Sequence, residues 1–184
     1  MNLLVIADED SFLKRQDSES ADVLISCGDL ADDVILKAAE LSRSSRIFAV
    51  KGNHDGATAF PSPITDLHFN VERHAELSFG GFNGSWKYKP RGHFLYEQSE
   101  VEQMLRSFPA VDVFVAHNSP RGIHDKEDEV HVGFRAFVDY IHRAKPRLFL
   151  HGHQHVDIET LIGETRVVGV YGSKRLQIIG GNTQ

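Results

Sequence analysis

The sequence predicts an α/β domain in which parallel strands alternate with helices and in which a second, partly antiparallel sheet is present. Five short runs are almost continuously apolar, which is typical of strands covered on both faces. Three other segments have apolar side chains spaced as on one face of a helix. A chain of 184 residues has room for one well-filled core, so we expect a single domain over 1–184.

The predicted strands are rich in Val, Ile, Leu and Phe, and they occur in both halves of the chain. Each is five or six residues long, as expected for the central strands of a sheet. They comprise residues 2–7, 22–26, 46–51, 111–116 and 147–151.

The helical spacing occurs in residues 32–43, 99–108 and 133–144. In the first segment, Asp32 or Asp33 is the expected N-cap, since a carboxylate accepts hydrogen bonds from the first free N–H groups. In the second, Ser99 and Glu102 have the spacing of a capping box. These signals predict where two of the helices begin.

Two further regions predict antiparallel pairing. Residues 67–84 indicate two strands followed by a Gly-rich turn. Residues 156–179 indicate a meander, with two-residue hairpin turns expected at Gly163-Glu164 and at Gly172-Ser173.

The charge balance limits the classes of partner. Acidic residues exceed basic ones by 26 to 20, and a net charge of −6 argues against a broad nucleic-acid or anionic-membrane surface. The single cysteine, Cys27, excludes an internal disulfide, so a reducing compartment fits best. Neither a leader segment nor an apolar run of membrane-spanning length is evident, and we expect a cytoplasmic protein.

Polar side chains that can bind metal ions follow all five predicted strands. Taken singly, each is also typical of a turn or of a solvated strand end. Because the carboxyl ends of strands in an α/β sheet face the ligand crevice, we expect the whole set to converge. The set comprises Asp8 and Asp10, Asp29, the Asn53-His54-Asp55 segment, His117, and His153 with His155.

The order Asp…GD…GNHD…His…GHxH, from residue 8 to residue 155, resembles the calcineurin-like metallophosphoesterase superfamily. The resemblance implies a single metallophosphoesterase domain with a four-layer αββα sandwich of two mixed sheets. It also implies a metal site at the carboxyl-terminal ends of the strands that holds two divalent ions. We expect Mn²⁺ first, with Fe, Zn, Ni or Mg as alternatives.

The resemblance also implies a role for each ligand. Asp29 would bridge the two ions, and Asp8 and His155 would complete one site. The other site would comprise Asn53, His117 and His153. A hydroxide between the ions would attack the phosphorus of a small phosphate ester.

His54 resembles the family residue that contacts the phosphoryl group or protonates the leaving group, and Asp55 would orient it. The alternative for His54 is a structural histidine beside the ligands. Both residues are therefore candidate catalytic residues.

The first motif departs from the family, which has a histidine two residues after the first aspartate where this chain has Asp10. Asp10 could bind an ion directly, act through a water, or leave that site incomplete. If it lies at the ions, three aspartates and a hydroxide cancel the charge of two divalent ions. That balance favours a monoanionic phosphodiester over a dianionic monoester.

Residues 84–97 place Lys87, Lys89 and Arg91 beside two aromatic residues, which could hold an anionic substrate over the ions. The alternative is an ordinary solvated loop. His124 and His131 flank an acidic segment; they could line the mouth of the crevice, but we expect them to be solvated loop histidines.

Three alternatives to a phosphodiesterase remain at this point. They are a non-catalytic metal-binding scaffold or interaction module on the same fold, a phosphomonoesterase or protein phosphatase, and a metal-free α/β domain. An oligomer is compatible with each of them.

Overall fold

Two large β-sheets form the centre of the computed structural model, which describes residues 1–14 and 19–179. The strands are β1 (Asn2–Ala7), β2 (Val23–Ser26), β3 (Arg46–Ala49), β4 (Ile64–Asp66), β5 (Val71–His74), β6 (Leu77–Phe82), β7 (Ser85–Trp86), β8 (Leu95–Tyr96), β9 (Val113–Ala116), β10 (Leu148–His151), β11 (Ile158–Ile162), β12 (Thr165–Gly169) and β13 (Gly172–Gln177). The helices are a 3-10 helix (Ser11–Lys14), α1 (Asp32–Ser42), α2 (Gln98–Leu105) and α3 (Arg135–Ala144).

The first sheet, sheet A, has the strand order β13-β1-β2-β3-β4. β1, β2, β3 and β4 are parallel, and β13 is antiparallel to β1 at one edge. The loops that follow β1, β2 and β3 therefore leave the sheet at the same end.

The second sheet, sheet B, has the order β11-β12-β10-β9-β6-β5. Its four central strands are parallel, whereas β11 and β5 are antiparallel strands at its two edges. A separate parallel pair, β7 and β8, lies in the segment between β6 and α2. Both large sheets are mixed, as the resemblance implied.

Side chains along the central strands alternate between two cores. Leu3 and Val5 of β1 belong to the core shared by the two sheets, whereas Leu4 and Ile6 pack with α1 on the outer face of sheet A. On sheet B, Phe114 packs with α2 and α3. Both faces of these strands are covered, which explains their continuous apolar composition. The structure confirms the four-layer αββα sandwich.

Both predicted helix caps are wrong. The N-cap of α1 is Ala31, which makes no side-chain capping bond, and Asp32 instead faces the Lys51 ammonium at 3.6 Å. The capping box of α2 is formed by Glu97 and Glu100, two residues before the predicted pair. A glutamate at the N-cap reaches the same N–H groups as a serine, and the Ser99 pattern therefore misplaced the start of the helix.

The hairpin prediction is confirmed at Gly163-Glu164, where Ile162 pairs with Thr165. It is wrong at Gly172-Ser173, because β13 leaves sheet B and pairs with β1, bringing Gly172 opposite Ala7. A local turn signal cannot specify which sheet the next strand joins. Among the described helices, none has the length and apolar composition needed to cross a membrane.

The aromatic core under α2 and α3 provides a test of the packing. Phe114 is fully buried, and its ring centroid lies 4.5 Å from that of Tyr140 and 5.2 Å from that of Phe149. Phe114→Ala should lower the free energy of unfolding by about 3–5 kcal/mol because it removes transfer energy and leaves a cavity. Chemical denaturation measures the change. Leu161→Ala, at a side chain that is 65% exposed, is the control and should change it by less than about 0.5 kcal/mol.

Candidate metal centre

The ends of β1, β2, β3, β9 and β10 bring polar side chains to one place between the two sheets. Asp8 directly follows β1, and Asp29 lies three residues beyond β2. His117 directly follows β9. One ligand atom from each of these three residues lies within 4.8 Å of those of the other two. Carboxylate and imidazole groups this close form a candidate metal site.

His117 is fully buried at the middle of this group. Its Nδ1 lies 2.8 Å from the carbonyl oxygen of Cys27, and since a carbonyl only accepts, Nδ1–H is the donor. Its Nε2 lies 3.0 Å from Asn53 Oδ1 and 3.3 Å from Asp29 Oδ2. The Cys27 carbonyl therefore turns Nε2 toward the oxygen ligands, as outer partners of metal-binding histidines do.

The pKa values show how the charges interact. Burial raises the pKa of Asp8 to about 7, and the neighbouring Asp29 adds to that effect. Burial would also raise the pKa of Asp29, but His117 and a hydrogen bond from the His54 backbone outweigh it and lower the pKa to about 2. Burial would lower the pKa of His117, yet Asp29 raises it to about 9. A single imidazolium thus faces two carboxylates, and the group favours additional positive charge.

Asn53 lies beside His117 and is 5% exposed. While its Oδ1 faces His117, its Nδ2 donates a hydrogen bond of 3.2 Å to the hydroxyl of Tyr88. This orientation directs the amide oxygen, the metal-binding atom of the side chain, toward the centre.

His153 and His155 come from the loop after β10. His153 is 4% exposed, and its backbone N–H donates to Asp8 Oδ2 at 2.9 Å. Its Nε2 donates to the carbonyl of Val130 at 3.2 Å, which leaves Nδ1 available for an ion. His155 is more exposed, with Nε2 3.9 Å from Asp8 Oδ1. The structure therefore brings six predicted ligands together: Asp8, Asp29, Asn53, His117, His153 and His155.

A family model described as calcineurin-like phosphoesterase matches residues 6–157. The chain belongs to this family. A search of curated proteins finds no match.

Several solved structures have the same fold. TT1561 of Thermus thermophilus is 15% identical, with a TM-score of 0.65 over 93% of this chain and 89% of that one. The phosphopantetheinyl hydrolase PptH of Mycobacterium tuberculosis is 16% identical, with a TM-score of 0.56 over 93% and 89%. Wild-type Vps29 of Entamoeba histolytica, complexed with Zn²⁺, is 13% identical, with a TM-score of 0.52 over 94% and 74%.

The residues at the centre fit the divalent ions that this family binds. Asp8 Oδ1 is buried and has no hydrogen-bond partner among the described residues, so an ion would satisfy an otherwise costly atom. Two glycines allow the loops to approach closely. A Cβ on Gly152 would lie 2.7 Å from Asp8 Oδ2, and one on Gly52 would collide with the carboxylate of Asp29.

Asp10 is not part of this group. Its side chain is exposed, no described contact joins it to the other ligands, and its carbonyl accepts from Leu13 N–H at the start of the 3-10 helix. The chain turns away from the centre immediately after Asp8. Direct binding of an ion by Asp10 stays a prediction, and no described contact places its carboxylate with the other ligands.

His54 and Asp55 have different environments. The imidazole of His54 is exposed, while its backbone N–H donates to Asp29 Oδ1 at 2.8 Å. Asp55 Oδ2 accepts from Asp29 N–H at 2.9 Å and from Gly52 N–H at 2.7 Å. Asp55 thus ties the loop after β2 to the loop after β3, and its described contacts do not include the His54 ring.

The loop 84–97 reaches the centre through an aromatic residue rather than through its cations. Lys87 pairs with Glu97 at 3.5 Å, and the Lys89 ammonium lies 5.0 Å from the ring centroid of Tyr88. Arg91 is exposed. Substrate binding by Lys87, Lys89 and Arg91 stays a prediction. The Tyr88 contact with Asn53 was not predicted, although a tyrosine among the cations was the available signal.

The alternative that His131 lines the mouth of the crevice fits the structure better than a solvated loop histidine. Its ring centroid lies 5.2 Å from that of His153 and 6.2 Å from that of His155. His124 is not free either, because it contacts the fully buried His151 at 2.9 Å and Thr160 at 2.8 Å. Sequence distance from the motifs hid both contacts.

Asp55 allows a test of loop positioning without any ion. In metal-free protein, Asp55→Ala should lower the free energy of unfolding by about 1.5–3 kcal/mol, because two backbone N–H groups lose a charged acceptor. Thermal and chemical denaturation measure the change. His54→Ala is the control, since its side chain is exposed and its backbone bond remains, and it should differ by less than about 0.5 kcal/mol. Equal, small effects of both substitutions would contradict the loop-bracing role.

Proposed function

We propose that the protein is a metal-dependent phosphoesterase that hydrolyses a small phosphate ester, preferentially a phosphodiester, at a centre of two divalent ions. The pair of buried carboxylates, Asp8 and Asp29, carries the proposal, because Asp8 Oδ1 has no hydrogen-bond partner among the described residues. Membership of the phosphoesterase family supports it. Mn²⁺ is the first candidate, followed by Fe, Zn, Ni and Mg.

Two ions at this centre would act as Lewis acids on the phosphoryl oxygens and would activate a water for attack. Asp29 lies between the two ligand groups, since it contacts His117 and shares the cluster with Asp8. We assign Asn53, His117 and His153 to one ion, and Asp8 and His155 to the other. The Cys27 and Val130 carbonyls hold two of the imidazoles in the required tautomers.

His54 is the proposed proton donor to the leaving group. Its backbone is fixed by Asp29 at 2.8 Å, whereas its imidazole is exposed at the mouth of the centre. A side chain with this arrangement can reach the ester oxygen of a bound substrate and protonate it as the bond to phosphorus breaks. Asp55 contributes indirectly by holding the loop that carries His54.

The proposed preference for diesters rests on the carboxylates, since each one lowers the positive charge of the two ions and so weakens the attraction of a dianionic monoester more than that of a monoanionic diester. Asp8 and Asp29 contribute negative charge within the centre. The exposed Asp10 contributes only a screened charge from outside it.

The contribution of Asp10 to the preference for diesters should therefore be small. Asp10→Asn should change the ratio of kcat/KM for bis-p-nitrophenyl phosphate to that for p-nitrophenyl phosphate by less than about threefold. Steady-state kinetics with Mn²⁺ measure the ratio. A change of tenfold or more would place the Asp10 carboxylate at the ions.

A metal-binding interaction module is the second candidate. It is favoured by the position of Asp10, which leaves Asp8 and His155 with fewer partners than the group around His117. One structure with a similar fold is Vps29 of Entamoeba histolytica complexed with Zn²⁺. Another, from Cryptosporidium parvum, is named vacuolar protein sorting 29. Another structure with a similar fold, PptH, is named a hydrolase, which supports the proposed phosphoesterase activity.

Turnover distinguishes the two candidates. With Mn²⁺, wild-type protein should hydrolyse bis-p-nitrophenyl phosphate, and Asp29→Asn should reduce the rate to background because it weakens both ion sites. His54→Ala should lower kcat by about 10²–10⁴-fold while metal binding is retained, as expected for loss of a general acid. Release of p-nitrophenolate measures each rate.

The matched control is His142→Ala, at an exposed position on α3, which should behave as wild type. Absence of metal-dependent turnover across a panel of diesters and monoesters would instead support the interaction module. We also propose a cytoplasmic location without a nucleic-acid or membrane partner, on the net charge of −6 and the single cysteine.

A further inference from the structure

The loop between β9 and α3 brings an additional imidazole to the metal centre. The His131 ring lies near both histidines of the GHQH segment, with centroid distances of 5.2 Å to His153 and 6.2 Å to His155. Burial lowers the pKa of both His153 and His155, and electrostatic interaction with His131 adds to that effect. His131 is thus adjacent to ligands assigned to both ions.

The orientation of His131 is set by Asp128. Its Nδ1 lies 2.7 Å and 2.9 Å from the two carboxylate oxygens of Asp128, and since an ionised carboxylate only accepts, Nδ1–H donates. The Val130 and His131 backbone N–H groups donate to the same carboxylate at 2.9 Å and 2.7 Å. Nε2 is the other ring nitrogen of His131, and it has no described hydrogen-bond partner. A carboxylate on one imidazole nitrogen is the usual outer partner of a metal-binding histidine.

The backbone of this loop is fixed against the same centre. The Val130 carbonyl accepts from His153 Nε2–H, and the His131 carbonyl accepts from the amide of the buried Gln154 at 3.0 Å. At the base of the loop, Asp125 accepts from Gly122 N–H and Gly133 N–H at 2.8 Å and 3.1 Å. His131 is therefore held in place by bonds on both sides.

We propose that His131 binds an ion through Nε2, together with Asp8 and His155, and so replaces the imidazole that the first motif lacks at Asp10. This inference rests on the metal centre of the proposed function. The other ion already has two imidazoles and an amide, His117, His153 and Asn53, whereas the Asp8 side has His155 alone.

The ring separations agree with shared coordination. Metal–nitrogen bonds of about 2.0–2.1 Å place the centroids of two imidazoles on one ion roughly 4.5–6.5 Å apart, depending on the angle between the bonds. The 6.2 Å separation of His131 and His155 lies at the upper end of this range, which corresponds to a wide angle between the two metal–nitrogen bonds. A shared ion would also satisfy Asp8 Oδ1, which lacks a hydrogen-bond partner among the described residues and lies 3.9 Å from His155 Nε2.

Titration of metal-free protein with Mn²⁺ in a calorimeter, and with Co²⁺ followed by its visible absorption, tests the assignment. Wild type should bind two ions. His131→Ala should retain one ion with unchanged affinity and weaken the other by at least about 100-fold, while Asp128→Asn should weaken the same ion about tenfold. In proton NMR spectra of the Co²⁺ form, His131→Ala should lose one shifted, exchangeable imidazole N–H signal.

Three controls make the result decisive. His131→Phe keeps a ring packed against His153 but removes the ligand nitrogen. It should show the same loss of one ion, which separates loss of a ligand from disturbed folding. His142→Ala removes a histidine from an exposed part of α3 and should bind two ions normally. Asp10→Ala should change neither affinity by more than about threefold, because the exposed Asp10 has no described contact with the other ligands.

Each remaining outcome overturns a defined statement. Normal binding of both ions by His131→Ala and His131→Phe would overturn the assignment and leave the phosphoesterase proposal intact. Weakening by Asp10→Ala in place of His131→Ala would return the ligand role to Asp10. Fewer than two ions bound by wild type would overturn the dinuclear centre itself, and the His131 assignment with it.

Discussion

Side chains at the metal centre use one polar atom to hold a neighbouring loop, and the rest of the site depends on this shared bonding. Asp8 accepts from the His153 backbone, Asp29 accepts from the His54 backbone, and His117 donates to the Cys27 carbonyl. In Asp8 and His117, the second polar atom is thereby directed inward. The same bonds therefore connect five separate strand ends and select the atoms that face an ion.

This arrangement requires unusual backbone conformations at the ligands. Asp8, Asp29, His153 and His155 have φ angles of 63°, 55°, 63° and 52°, in the left-handed region. That region costs a non-glycine residue about 1–2 kcal/mol, with aspartate among the types that tolerate it best. The burial of both sheets on two faces stabilises the strands enough to hold these turns. Stability from the sandwich thus allows strained loops at its edge.

Sequence patterns predicted what depends on local chemistry. Continuous apolar runs located the central strands to within two residues at either end, since alternating side chains enter two cores. The ligands were recognisable because they follow those strands directly. The patterns failed where distant partners decide, as for β13, which joins sheet A only through its pairing with β1. Asp10 is exposed for a related reason, because the 3-10 helix that begins three residues after Asp8 redirects the chain.

The residues that the sequence did not reveal share a physical property. Tyr88 and His131 belong to loops in which no strand alternation determines where a side chain points, and each touches a ligand only after the two sheets have packed. Strand ends supply the ligands common to the motif pattern, whereas these loops supply contacts particular to this chain. It follows that the loops 84–97 and 121–134 can alter metal affinity and substrate choice without disturbing the strand-end ligands. An imidazole absent from one motif can therefore be replaced from a loop that is remote in sequence.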